Sequence, residues 1–134
     1  MKYWIHQTGS NVKHAAELLE LFPNAKFIHL IRDGRSVANS LMSCDWGPNT
    51  ILARDHYWRS ELTYGLAAES YLKPDLNIQI RYDDLVEKLS ETTHQLGDFL
   101  KLPFEAHLLQ PQGFQVPDYS QRQHSLIGKE LNES

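Results

Sequence analysis

Apolar and polar positions in this chain fall into short blocks that alternate between strand and helix periodicity. Tyr3–His6 is short and aromatic-rich, which suits a strand. Asn11 precedes a helical stretch in which Ala15, Leu18, Leu19 and Phe22 stand at i, i+3, i+4 and i+7, one apolar stripe, and Pro23-Asn24 stops it. Lys26–Ile31 (KFIHLI) is a nearly continuous apolar run. It predicts a strand buried on both faces, as in a parallel sheet. Arg32-Asp33-Gly34-Arg35 follows, then a helix over Ser36–Ser43. Cys44–Asn49 (CDWGPN) reads as a loop. A long helical pattern runs from Ile51 to Leu72, with a stripe through Trp58, Leu62 and Leu66 that fades at Glu69, and Pro74 breaks it. Asn77–Arg81 (NIQIR) predicts a second short strand. Asp84, with Glu87 three residues on, predicts a variant capping box, and Ser90 is a second candidate cap. Leu96, Phe99 and Leu100 complete a helix ended by Pro103, and the tail from Gln110 reads as irregular. This order predicts an α/β fold, a parallel sheet flanked by helices.

Composition narrows the function. The chain has 134 residues, 41% hydrophobic and 22% charged, the proportions of one globular domain covering residues 1–134. The single cysteine, Cys44, excludes an intrachain disulfide and fits a reducing compartment, the cytoplasm. No apolar run reaches the roughly 18–20 residues of a membrane span, and MKYWIHQTGS has no signal-peptide core. Histidines stand at 6, 14, 29, 56, 94, 107 and 124 without metal-ligand spacing, so no metal site is expected. Charge is uneven: residues 1–40 carry a net +2 and residues 41–134 a net −6. An acidic chain does not wrap a nucleic acid backbone. The basic stretch at 26–35 is either a solvated surface or the holder of a small anion.

The segment that can carry chemistry is Phe22–Ser40 (FPNAKFIHLIRDGRSVANS). Ligands of open α/β sheets gather at the carboxyl ends of strands, and helix starts favour anions. Arg32 adds a planar, permanently charged fork suited to phosphate. Ser36 and Ser40 share a helix face, so a hydroxyl can join the site. The competing reading has Asp33 capping the helix, Arg32 paired with a carboxylate and the serines merely solvated.

This segment resembles the 3′-phosphate-binding strand and helix of sulfotransferases that use 3′-phosphoadenosine 5′-phosphosulfate (PAPS), whose pattern is "fPnAKfIhliRDpRsvanS". The resemblance implies a partial P-loop-like sulfotransferase fold. It implies that Arg32, at the strand end, and Ser40, eight residues later, bind the 3′-phosphate. Gly34 stands where proline is commoner. Ile80–Val86 (IRYDDLV) is similar to "vrYEDLv", followed by a helix ending in "FLgl", here Phe99-Leu100-Lys101-Leu102; this makes Tyr82 a candidate adenine contact. Gln123–Lys129 (QHSLIGK) resembles an element that closes over the nucleotide, so Lys129 is a candidate phosphate contact. Trp4–Asn11 (WIHQTGSN) resembles "w.eKTPgN", the segment beside the sulfuryl group; Gln7 takes the lysine position and Thr8 follows. His6, close by, is a candidate base. The stretch Cys44–Trp58, with Asp45, Trp46, Arg54, His56 and Trp58, is where the resemblance puts an acceptor pocket.

Complete members begin with a strand and a Gly-rich phosphate-binding loop that cradles the 5′-phosphosulfate. No such loop precedes Trp4, and G-x-x-x-x-G-K-[ST] does not occur. The expectation is a chain truncated at its N-terminus, lacking a strand interior to the sheet. Neighbouring strands then expose backbone groups and apolar faces. Such a chain belongs to a longer protein, pairs with a partner subunit or forms a homo-oligomer. Two functions follow. One is transfer of a sulfuryl group from PAPS to an acceptor hydroxyl or amine, leaving adenosine 3′,5′-bisphosphate. The other is a non-catalytic module that binds nucleotide or associates with protein. A generic nucleotide kinase is a weaker third, for want of a P-loop lysine.

Overall fold

The computed structural model describes residues 3–44 and 47–103. In chain order these form a 3₁₀ turn (Gly9–His14), α1 (Ala15–Leu21), β1 (Phe27–Ile31), α2 (Gly34–Ser40) and a second 3₁₀ turn (Leu41–Ser43). Then come α3 (Ile51–Tyr71), β2 (Asn77–Arg81), α4 (Tyr82–Glu87) and α5 (Leu89–Leu100). The chain divides into two compact units, with the boundary between Arg81 and Tyr82.

In the first unit β1 and β2 pair in parallel, in the register Ile28 with Ile78, His29 with Gln79 and Leu30 with Ile80. Parallel strands need a long crossover, and α2 and α3 supply it. The α/β fold with a parallel sheet is therefore as the sequence predicts. Phe27, His29 and Ile31 share one face of β1, and His29 reaches α3 there: its Nδ1 donates to Glu69 Oε1 at 2.5 Å. The opposite face is a correction. Ile28 and Leu30 are 47% and 50% exposed, so β1 is not buried on both faces among the described residues.

Helix α3 explains how a helix without a continuous apolar stripe still docks. Thr50 caps it by accepting from the Ala53 amide at 3.2 Å. Its one buried residue is Gly65, set against β1. A Cβ at Gly65 would lie 2.1 Å from His29 Cε1, so the histidine ring occupies the space a side chain would take. Across this close approach Glu69 binds His29, and Gln79 Nε2 donates to both carboxylate oxygens at 3.1 and 3.0 Å.

Tyr3–His6 forms no strand; residues 3–8 lack regular structure, and Trp4 and Ile5 are exposed. A strand needs a neighbour for its backbone hydrogen bonds. Trp4 instead stacks on His6, with ring centroids 5.6 Å apart, and packs obliquely on Phe22. The helical stretch after Asn11 is present as a 3₁₀ turn leading into α1, with Ala15 buried.

The second unit, as far as it is described, holds α4 and α5. Helix α4 starts at Tyr82, so Asp84 lies inside its first turn instead of capping it. Ser90 lies inside α5, whose N-cap residue Lys88 makes no side-chain cap bond. Asp83 and Asp84 favour α4 through its dipole. Asp84 joins the helices through its carbonyl, which accepts from the Lys88 amide at 2.8 Å and from the buried Thr92 hydroxyl at 3.1 Å. Helix α5 ends in a Schellman motif: Lys101 is left-handed (φ 57°), its amide reaches Asp98 O at 3.2 Å, and the Leu102 amide reaches Gly97 O at 2.9 Å. No helix among the described residues is long and apolar enough to cross a membrane.

Candidate functional site

β1 ends at Ile31, and the next residues, Arg32 and Asp33, turn the chain into α2. The Asp33 side chain caps that helix, accepting from the Arg35 amide at 2.9 Å and the Ser36 amide at 3.3 Å. The cap moves the helix start to Gly34, ahead of the expected Ser36. Two amides of the helix start thus serve Asp33, the cap that the competing reading expects. Arg35 closes on the same carboxylate, Nε to Oδ1 at 3.1 Å and Nη2 to Oδ2 at 3.2 Å. That guanidinium, and then the Ser36 amide, hold the Asp33 carboxyl below its ordinary range, while Asp33 raises Arg35 in return.

The turn is braced from α3. Trp58 Nε1 donates to the Arg32 carbonyl at 3.1 Å. The same indole covers Gly34, where a Cβ would meet its ring carbons at 2.8 to 3.0 Å. Arg32 is half-buried, and Ser40, exposed, is the last residue of α2. The Ser40 carbonyl accepts from Cys44 Sγ at 3.7 Å.

One turn further along α3, Glu61 pairs with Lys13 of the first 3₁₀ turn at 2.7 Å. Lys13 also lies over the Tyr64 ring, 4.9 Å from its centroid. The Glu61 hydrogen bond is the main cause of a raised Lys13 pKa. A Cβ at Gly9 would sit 3.7 Å from Glu61 Oε2 and 3.9 Å from the Tyr57 hydroxyl. Helix α3 thus touches both the strand-end turn, through Trp58, and the segment after His6, Gln7 and Thr8, through Glu61. Those three side chains are exposed. The Asn11 amide donates to His6 Nδ1 at 2.8 Å, which leaves the ring proton on Nε2, 3.5 Å from the Thr8 hydroxyl.

Tyr82, half-buried, opens α4 in the second unit. Lys129 and the segment Gln123–Lys129 lie outside the described residues, as do Asp45, Trp46 and the tail from Gln110. Of the stretch expected to form an acceptor pocket, Arg54 donates to the Pro48 carbonyl at 2.8 Å, His56 is exposed, and Trp58 belongs to the strand-end turn. The sequence reading missed Trp58, Glu61 and Lys13 as organising residues of the site. The one signal available for Trp58 was Gly34, a small residue where the resembled pattern commonly has proline. Among the described residues no group of three or more His, Cys, Asp or Glu side chains is placed to hold a metal ion.

Residues 1–106 match the sequence profile described as Sulfotransferase family. The chain belongs to the sulfotransferase family. Protein-tyrosine sulfotransferase A of Caenorhabditis elegans is 28% identical over 129 residues, which is 90% of this chain and 30% of that protein. A second Caenorhabditis elegans protein, described as a protein-tyrosine sulfotransferase, is 30% identical over 97 residues, 69% of this chain and 37% of its own length. Among solved structures, the sulfotransferase domain from the curacin biosynthetic pathway superposes with a TM-score of 0.70 at 32% identity, over 80% of this chain and 40% of that domain. The chain therefore spans about a third of the length of these two curated sulfotransferase relatives.

Proposed function

We propose that this chain carries the nucleotide-binding part of a PAPS-dependent sulfotransferase, with residues 1–134 forming one domain of that type. In this reading Arg32 and Ser40 hold the 3′-phosphate, and Gln7 and Thr8 contact the donor. The supporting observation is a half-buried arginine at the carboxyl end of a parallel strand, in the turn where the family match and the motif coincide. The turn also suits an anion in its charge. Arg35 pairs with the Asp33 carboxylate in the same turn, which reduces the negative charge an incoming phosphate meets there.

In the transfer, an acceptor oxygen attacks sulfur, the sulfur–oxygen bond to the 5′-phosphate breaks, and adenosine 3′,5′-bisphosphate leaves. Catalysis of this kind rests on positioning and on neutralising charge. Gln7 donates hydrogen bonds where the family motif has a charged lysine. His6 would take the acceptor proton on Nδ1 once Asn11 releases that nitrogen. The relatives named above make a tyrosine hydroxyl the first acceptor to try. Cys44, the single cysteine, fits work in a reducing compartment, the cytoplasm.

Calorimetric titration of adenosine 3′,5′-bisphosphate into wild type and Arg32→Ala tests the nucleotide site. The expected outcome is binding that Arg32→Ala abolishes or weakens by a factor of roughly 30 or more, the usual cost of losing a desolvated charged contact. Equal binding to both proteins overturns it. A second reading, a module that binds nucleotide without transferring sulfate, is favoured by Gln7 and corresponds to binding with no labelled product on any acceptor. The half-exposed Ile28 and Leu30 support self-association or a partner subunit. Light scattering that finds a stable 15.5 kDa monomer overturns self-association.

A further inference from the structure

We propose that Trp58 is a positioning residue for the 3′-phosphate: its indole sets the aim of the Arg32 guanidinium, so that selectivity for a 3′-phosphorylated nucleotide depends on a residue that never touches the nucleotide. This inference rests on the nucleotide reading given above.

Two independent contacts lead to it. The first is a hydrogen bond. Arg32 follows the last residue of β1, and its carbonyl accepts the Trp58 indole N–H at 3.1 Å. The next carbonyl, that of Asp33, accepts the Val37 amide at 3.0 Å inside the helical ladder. The Arg32–Asp33 peptide is thus the hinge between strand and helix, and the indole pins it. An indole nitrogen is a donor only, and a half-buried carbonyl needs a donor, so the pairing satisfies both groups. Fixing that peptide fixes the direction of the Arg32 Cα–Cβ bond, from which the guanidinium extends.

The second contact is steric. The indole sits where a Cβ of Gly34 would be, 2.8 Å from Cδ2 and 2.9 Å from Cε3. Contacts that short do not occur with a real side chain, so this ring position requires glycine at 34. Gly34 and Trp58 are therefore two halves of one joint. Thr50 anchors the joint by capping α3, and Trp58 follows two turns into the helix. The turn rests on a long helix, which holds a site more rigidly than a loop does.

The test compares two ligands on three proteins. Adenosine 3′,5′-bisphosphate and adenosine 5′-phosphate, which lacks the 3′-phosphate, are titrated into wild type, Trp58→Phe and Gly34→Ala. Trp58→Phe keeps a ring and deletes the N–H. Gly34→Ala leaves Trp58 in place but pushes the indole aside, and it favours helix α2 by propensity. Both variants are expected to lose about tenfold in affinity for the bisphosphate, the effect of one hydrogen bond that orients a charged contact, with little change for the monophosphate. In an Arg32→Ala background, Trp58→Phe is expected to change nothing further.

If either folded variant keeps the wild-type preference for the bisphosphate, or weakens both ligands equally, the positioning role is overturned and the nucleotide reading stands. If wild type itself shows no preference for the bisphosphate, the nucleotide reading falls and this inference with it. Should Trp58→Phe fail to fold, Gly34→Ala decides the matter alone.

Discussion

His29 on β1 and Glu69 on α3 meet at 2.5 Å, and each side chain is only about one-fifth exposed (20% and 21%). Gln79, the register partner of His29 on β2, donates to the same carboxylate. One helix residue therefore ties together both strands of the sheet. Removing it leaves the part-buried His29 Nδ1 without its acceptor, while the exposed Gln79 amide turns to water. Glu69→Ala is expected to cost about 1–3 kcal/mol of stability, the penalty of one unsatisfied part-buried polar group. Urea unfolding checks this; an unchanged midpoint would show that water replaces the carboxylate at no cost.

Gly65 makes the approach of helix to strand possible. A methyl group there would overlap the His29 ring, 2.1 Å from Cε1 and 2.3 Å from Nε2. Gly65→Ala gains helix propensity, about 1 kcal/mol, yet it must push α3 away from β1. Overpacking typically costs about 1–3 kcal/mol, so the expected net effect is a loss. A denaturation midpoint above that of wild type would mean the histidine ring swings aside freely.

Asp33 makes stability depend on pH in the acid range. Its folded-state pKa lies below the ordinary 3.8, first because of Arg35 and then because of the Ser36 amide. A carboxyl depressed on folding stabilises the fold in its ionised form. That contribution is complete above the unfolded value of 3.8 and is lost as pH falls through the lower folded value. The stability difference between wild type and Asp33→Asn should therefore be level above about pH 5 and shrink below 3.8. Thermal unfolding at a series of pH values measures it, and a difference that grows on acidification contradicts the assignment.

Lys101 occupies a left-handed position, φ 57°, at the end of α5, in the place where the family motif carries glycine. A side chain in that region costs roughly 1–2 kcal/mol, part of which glycine returns as unfolded-chain entropy. Lys101→Gly is expected to stabilise the chain by about 0.5–1 kcal/mol. A lower melting temperature would show that the lysine side chain makes a compensating contact.

The residues read most easily from sequence were those whose neighbours along the chain decide their structure. β2 runs over Asn77–Arg81 as the pattern predicts, and Pro74 ends α3 where expected. The caps were read less well. Asp33 caps α2, an alternative the sequence left open, whereas Asp84 and Ser90 fall inside helices because α4 follows β2 without a break. Tyr3–His6 has strand composition and no strand, because a strand exists only beside a partner.

Local patterning by itself determined the alternation of strands and helices, the parallel sheet, and a motif that places Arg32 at a strand end. Periodicity and capping act over a few residues, so one dimension suffices to read them. The partner of each polar group was decided only by tertiary structure. That α3 reaches back 26 residues to the Arg32 carbonyl, or 40 from Glu69 to His29, follows from where the crossover helix lands on the sheet. No local pattern carries that information: the landing is set by two glycines, Gly34 and Gly65, whose missing side chains leave room for an indole and an imidazole from elsewhere in the chain.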